Sequence, residues 1–355
     1  MPEVHCFTSF SFSYLSRARL LVRTLRKFHP DWVLWACVSD RPPKQLDYAP
    51  DEEDFDHVIW VDDLPVKNVE GWIFQHSVVE LCTAVKGLVL NEILGRGAAK
   101  VIYLDPDIAL FGDLSEVVGL LDTHPVVLTP HQVDPESEAF AIADNEISAL
   151  KHGAYNLGFL AVNNCAEAQR FARWWRDRLV QFCFDDIPNG LFTDQRWCDL
   201  VPAFFSGVTV LRDPGYNVAS WNLSRRRLRI EPGSGEISVN DRPLRFYHFT
   251  KFDHAGERMI ERYSAGNTHV FELVAWYERS LKELELPGLP DRWWHYATFE
   301  DGTVIAPEAR RVYRSRVDLQ DAFPDPFLSG PATFQEWWAR EHPIAQPGPT
   351  EPEVA

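Results

Sequence analysis

The chain has no long hydrophobic run. No stretch reaches the roughly 18 to 20 apolar residues that a membrane-spanning helix needs, so none is expected. The N-terminus lacks a basic stretch followed by an apolar core and a small-residue cleavage site. No secretory signal is therefore expected, and the expected location is the cytoplasm. Cysteine is scarce and scattered: Cys6, Cys37, Cys82, Cys165, Cys183 and Cys198 include no Cys-x-x-Cys pair. That spacing argues against a zinc framework and leaves reduced, mostly buried thiols as the simplest expectation. Positive charge is in deficit, with 35 Lys and Arg against 52 Asp and Glu, for a formal net charge of −17. Such a balance argues against a nucleic-acid backbone or an anionic membrane as main partner. Peripheral membrane contact stays open. So does a nucleotide diphosphate, which a metal and a few local cations can neutralise.

What is present is globular in composition, 45% hydrophobic and 13% aromatic over 355 residues. That length holds one large domain, or a domain with an extension. The first half alternates strands and helices. Strands are expected at His5 to Phe10, Val33 to Val38, His57 to Val61, Val101 to Leu104 and Pro125 to Leu128. Helices are expected at Ser16 to Phe28 and Val78 to Leu94. Asp113 with Glu116 suggests a capping box opening a helix through Leu121. This alternation predicts an α/β fold with a mostly parallel sheet covered on both faces. Thr129 to Gly153 reads as a polar connection without clear structure, the kind of length that serves as a functional loop. Beyond it, Gly158 to Asn163 reads as a strand, Ala166 to Val180 as a helix, Asp194 to Leu200 as a short helix, and Leu244 to Phe249 as a strand. Residues 1 to 264 form the expected main domain. Residues 265 to 342 form an aromatic extension that opens with an amphipathic helix, and 343 to 355 form a Pro- and Glu-rich tail expected to be disordered.

The most informative segment is Val101-Ile102-Tyr103-Leu104-Asp105-Pro106-Asp107-Ile108. A short buried strand runs into two carboxylates, and Pro106 stiffens the turn between them. Two hard oxygen ligands at one spot suit Mg²⁺ or Mn²⁺ carrying a diphosphate. The position matters too, because open α/β sheets bind ligands beyond the carboxyl ends of their strands. A second Asp-x-Asp, Asp54 to Asp56, enters a strand instead and reads as solvated surface. Three further segments carry polar groups at element ends. They are Tyr155 to Asn163 with Asn156 and Gly158, Thr193 to Trp197 with Asp194 and Gln195, and Phe246 to Lys251 with His248. A glycine beside a strand permits close backbone approach to a ligand.

Taken in order, Tyr-Leu-Asp-x-Asp, Asn-x-Gly-x-x-x-x-Asn, Asp-Gln and a late His resemble retaining GT-A glycosyltransferases. The closest resemblance is to glycosyltransferase family 8, the glycogenin and lipopolysaccharide galactosyltransferase family, over about residues 5 to 255. It implies a GT-A, Rossmann-like nucleotide-diphospho-sugar transferase fold and a divalent cation, Mn²⁺ or Mg²⁺. Asp105, Asp107 and His248 would bind the metal. Asn156 and Gly158 would line the donor sugar, and Asp194 and Gln195 would sit by the anomeric carbon. Phe7, Thr8 and Ser9 would meet the nucleoside, and Lys86 would face the donor and the Asp-x-Asp turn. The donor would be a nucleotide-diphosphate sugar, with uridine as the implied base, and the acceptor a saccharide or another hydroxyl. The chain looks like a bacterial branch working on cell-surface or exopolysaccharide precursors.

The chain also departs from the family. His248-Phe249-Thr250-Lys251 lacks the usual glycine and Lys-Pro-Trp after the histidine, which leaves Lys251 as the candidate for neutralising the diphosphate. The nucleoside segment lacks the usual Asp-Asp-Asn run. Retention by front-face departure and attack is favoured, because Gln195 is a poor nucleophile. An inverting transferase with Asp194 as base stays open, as does a non-catalytic saccharide-binding or scaffold protein on the same fold. A nucleotidyltransferase is disfavoured, since Phe7 to Leu15 contains no glycine. Each candidate has a plainer reading beside it. Asp194 fits a helix N-cap, His131 an ordinary loop, Trp221 core packing, and Arg225 to Arg227 a solvated turn.

Overall fold

In a computed structural model describing residues 3–250, 255–264 and 266–342, strand β1 (Val4–Phe10) is buried along its whole length. A strand buried on both faces needs cover on each side. On one face Val4 and Cys6 meet Leu21, Val22 and Leu25 of helix α1 (Leu15–Phe28), together with Leu34, Ile102 and Leu104 of the neighbouring strands. On the other face Ser9 donates to the Cys82 carbonyl of helix α2 (Val78–Gly95), at 2.6 Å. The remaining strands of the sheet are β2 (Val33–Val38), β3 (His57–Trp60), β4 (Lys100–Leu104), β6 (Val126–Pro130), β7 (Tyr155–Asn163) and β8 (Thr209–Val210). Their order is β8-β6-β7-β4-β1-β2-β3. Only β7 runs antiparallel to its neighbours. The expected mostly parallel, helix-covered α/β sheet is what the chain forms.

Helix α2 packs on helix α4 (Ala166–Phe182) at Gly87. A Cβ there would lie 2.6 Å from the Arg176 Cα, so only glycine permits this approach. Between β4 and β7 the chain also forms β5 (Ile108–Leu110) and helix α3 (Ser115–Leu120). Strand β9 (Phe246–His248) pairs antiparallel with β5. Helix α5 (Gln195–Cys198) follows the segment after α4, and helix α6 (Thr268–Glu283) contributes Val270, Leu273 and Tyr277 to a core cluster with Leu20 and Tyr247.

Contacts divide the chain into two units, residues 1–64 with 78–294, and 65–77 with 295–355. The second is built around Phe74, whose ring meets Phe299, Tyr313, Phe327 and Phe334. Arg310 is buried there and donates to the carbonyls of Phe74, His76 and Tyr296. The tail from Pro343 lies outside the described residues.

Several local expectations need correction. Residues 139–152 are helical, with a π turn at Ile142–Glu146. Helical periodicity was masked because Phe140, Ile147 and Leu150 are exposed and the π turn shifts their phase. Asp113 and Glu116 form no capping box. Asp113 accepts from the Ser115 amide and pairs with Arg245, while Glu116 accepts from Tyr216. The Arg225 to Arg227 cluster is not a solvated turn. Arg226 is buried and donates to the Tyr216 carbonyl, and Arg225 pairs with Glu136. Asp56 does more than face solvent. It caps the Leu34 amide at 2.7 Å and pairs with Arg26.

Candidate metal and donor site

The antiparallel course of β7 explains how distant residues meet. Its first residues lie beside the end of β4, so Asp105 N–H donates to the Gly158 carbonyl at 2.8 Å. The strand expected from Gly158 thus begins earlier, at Tyr155, and includes Asn156. Past the Asp-x-Asp turn the chain enters β5. There β9 sets His248 opposite Ile108, and Phe249 N–H donates to the Asp107 carbonyl at 2.8 Å. Two separate pairings thus bring Asp105, Asp107 and His248 together, with ligand atoms all within 4.8 Å of one another. The His248 Nε2 lies 3.0 Å from Asp107 Oδ1 and 3.6 Å from Asp105 Oδ2.

The two oxygens of Asp105 have different duties. Oδ1 accepts from Tyr103 Oη at 2.5 Å and from Lys86 Nζ at 3.1 Å. Oδ2 faces His248. Lys86 is 2% exposed and also meets Asp194 Oδ2 at 2.8 Å, the Leu157 carbonyl at 3.1 Å and the face of Tyr103 at 4.2 Å. Burial alone would lower the Lys86 pKa, but Asp105 and Asp194 outweigh it and hold the ammonium charged. For Asp194 burial wins, and its pKa is raised despite Lys86. The Asp194 side chain makes no helix cap. It turns inward to Lys86 instead, from a Thr193 whose φ of +44° is left-handed. That backbone is uncommon for a β-branched residue and marks a constrained turn. Thr193 Oγ1 donates to Asp194 Oδ1 at 3.1 Å. Gln195 Nε2 donates to the His152 carbonyl at 2.9 Å, which orients its side chain.

The donor set suits a divalent cation. Two carboxylate oxygens and one imidazole nitrogen are ligands that Mn²⁺ accepts, and three protein ligands leave positions for diphosphate oxygens. Gly158 makes room for this arrangement. A Cβ there would overlap His248 Cε1 and stand 2.7 Å from its Nδ1. The close approach that this glycine permits is that of the histidine ring. Gly158→Ala is expected to displace His248, cost about 1–3 kcal/mol as an overpacked site and weaken Mn²⁺ binding. Paired thermal unfolding and Mn²⁺ titration check this, and unchanged binding would contradict it.

Burial opposes charge on His248 and on Asp107, and their mutual attraction overrides it. His248 is raised above its ordinary value, and Asp107 is lowered, with Arg17 assisting. In the metal-free chain the ion pair contributes stability between those two values. That contribution is lost as pH falls through the lowered Asp107 value or rises through the raised His248 value. A cation must displace the His248 proton, so Mn²⁺ affinity should climb by up to about tenfold per pH unit and level off only above the raised value. Titrations between pH 6 and 9 test this. A plateau already complete below the ordinary histidine value of 6.5 would contradict it.

The other expected residues lie close by, but differently engaged. Phe7 packs on the Tyr103 ring at 4.8 Å, and Ser9 Oγ lies 3.1 Å from Tyr103 Oη. Both side chains support Tyr103 from within. Thr8 Oγ1 is buried without a hydrogen-bond partner among the described residues. Lys251 lies outside the described residues. A further buried carboxylate is Asp40, two residues past the end of β2, which accepts from the Phe12 amide at 2.9 Å and the Arg41 amide at 2.8 Å. Its place close behind a strand is the signal that could have found it. Trp221, for which core packing is the plain expectation, is half-buried. It stands edge-on to both His131 and His248, at 5.4 and 5.3 Å, with its Nε1 buried and without a partner among the described residues.

Among the described residues no helix is long and apolar enough to cross a membrane, and all six cysteines are free. No family model matches the chain. It is 24% identical over 259 residues to the uncharacterized protein YfnD of Bacillus subtilis strain 168, covering 71% of this chain and 79% of the relative. It is 26% identical over 178 residues to the uncharacterized protein YfnF of the same strain, covering 49% of this chain and 57% of that relative. Among solved structures it is similar to the galactosyltransferase LgtC in complex with donor and acceptor sugar analogues. The TM-score is 0.42 and the identity 15%, over 81% of this chain and 98% of LgtC. It is also similar to the glycosyltransferase GlyE of Streptococcus pneumoniae TIGR4, with a TM-score of 0.42 and 16% identity over 84% of this chain and 67% of GlyE.

Proposed function

We propose that the chain is a metal-dependent GT-A glycosyltransferase. It moves a sugar from a nucleotide-diphosphate sugar, with uridine as the base, to a saccharide or other hydroxyl acceptor, with retention. The observation that carries this reading is the convergence of Asp105, Asp107 and His248 at the strand ends, with the Lys86–Asp194 pair joined to Asp105. Asp105, Asp107 and His248 would hold Mn²⁺ or Mg²⁺, which when bound supplies Lewis-acid stabilisation to a departing nucleoside diphosphate. Lys86 pairs with both Asp105 and Asp194 and offsets their negative charge. Asp194 makes a poor nucleophile or general base, because one oxygen is held by Lys86 and the other by Thr193. That favours front-face departure and attack over double displacement, with Asp194 and Gln195 placed as fixed dipoles beside the developing positive charge. A cytoplasmic place, with precursors of cell-surface polysaccharide as acceptors, fits the free thiols and the acidic composition.

Thermal unfolding with a panel of nucleoside diphosphates, with and without Mn²⁺, tests the donor assignment. A ligand at about 100 times its dissociation constant adds about 2.7 kcal/mol. A Mn²⁺-dependent shift confined to UDP is the expected result. A shift with another base would replace uridine, and none with any base would oppose the transferase reading.

A further inference from the structure

His248 can serve a cation only if its Nε2 lone pair faces the carboxylates, and a line of polar contacts behind the ring sets that orientation. Asn156 Oδ1 lies 3.2 Å from His248 Nδ1. An amide oxygen accepts only, so a metal-bound His248 would keep its one proton on Nδ1 and present Nε2 to the cation. The same amide must not rotate, because its NH₂ would then face that proton. On its other side Asn156 Nδ2 lies 3.4 Å from His131 Nε2. An acceptor at that point locks the amide. We infer that His131 is a positioning residue for the metal site: through Asn156 it holds the His248 ring with Nε2 toward Asp105 and Asp107. This relay rests on the metal-site reading.

The surroundings fit the role. Burial keeps His131 neutral, down to about 4, with the nearby Ala154 and Gly153 carbonyls opposing only in part. Neutral, it keeps one ring nitrogen as an acceptor throughout the physiological range. The edge of Trp221 meets both histidine rings. Gln132 Nε2 donates to the Trp221 carbonyl at 2.5 Å and Asn222 Nδ2 to the His131 carbonyl at 3.3 Å, stapling the two segments together.

The test uses the full chain and Mn²⁺ alone, read by electron paramagnetic resonance. His131→Phe keeps a flat ring against Trp221 and removes the acceptor. It should weaken Mn²⁺ binding about tenfold or more, the usual effect of losing an outer partner of a metal ligand. His131→Gln, which returns an acceptor oxygen, should recover most of that loss. In an Asn156→Leu background, His131→Phe should add nothing further. Parent-like binding in His131→Phe would overturn the relay, as would a glutamine variant as weak as phenylalanine, or losses that add. A parent chain that binds no Mn²⁺ would remove the metal reading, and the relay with it.

Discussion

Replacing Asp107 with alanine is expected to reduce metal-dependent turnover of donor by about a thousandfold or more, because a bound cation contributes several kcal/mol to the departing charge. Mn²⁺ binding should fall with it. The fold should survive. His248 loses its contact at 3.0 Å but keeps Asp105 Oδ2 at 3.6 Å, so the stability cost should stay near that of one charge-assisted hydrogen bond, about 1.5–3 kcal/mol. Calorimetric unfolding beside Mn²⁺ titration separates the two effects. An Asp107→Ala protein with unchanged Mn²⁺-dependent turnover would remove Asp107 from the site.

Lys86→Met should show the opposite balance, a large loss of stability. The lysine is enclosed with Asp194, whose side chain is 3% exposed, and no solvent can replace the cation. Breaking a buried pair from one side typically costs about 3–5 kcal/mol. For a unit of this size that is roughly a 10 °C fall in Tm. Because the uncompensated charge belongs to Asp194, Lys86→Met with Asp194→Asn should recover part of the loss. The single variant's deficit should also shrink as the pH falls and Asp194 takes a proton. A single variant as stable as the parent at pH 8 would show that Lys86 and Asp194 are not coupled.

Much of this candidate site was legible in the residues because its parts sit at element ends. Asp105, Asp107, His248, Asp194 and Asn156 each stand at or near the end of a readable strand or helix, and the α/β alternation follows from hydrophobic runs. Lys86 sits in mid-helix, and only the family resemblance points to it. What could not be read was direction and side-chain commitment. Strand β7 looks the same in sequence whether parallel or antiparallel, yet only the antiparallel course sets Gly158 against Asp105. Gly158 was legible as a close approach, but what approaches is the ring of a residue 90 positions later. Thr193 gave no sign of its left-handed backbone, since nothing in a β-branched residue signals positive φ. Arg226 carries the composition of a surface turn, and only tertiary packing takes it inside. The helix at residues 139–152 carries its apolar residues outward, so the usual helical stripe pointed to no core.

The most direct test is turnover of nucleotide-diphosphate sugars by the full chain, with Mn²⁺ and with a chelator, following release of the free nucleotide and the anomer of the sugar product by proton NMR. The account predicts release that needs Mn²⁺, stops on chelation, is absent in Asp107→Ala and yields the donor's own anomeric configuration. Release that persists in chelator and in Asp107→Ala, or no release from any donor by protein shown to bind Mn²⁺, would contradict it.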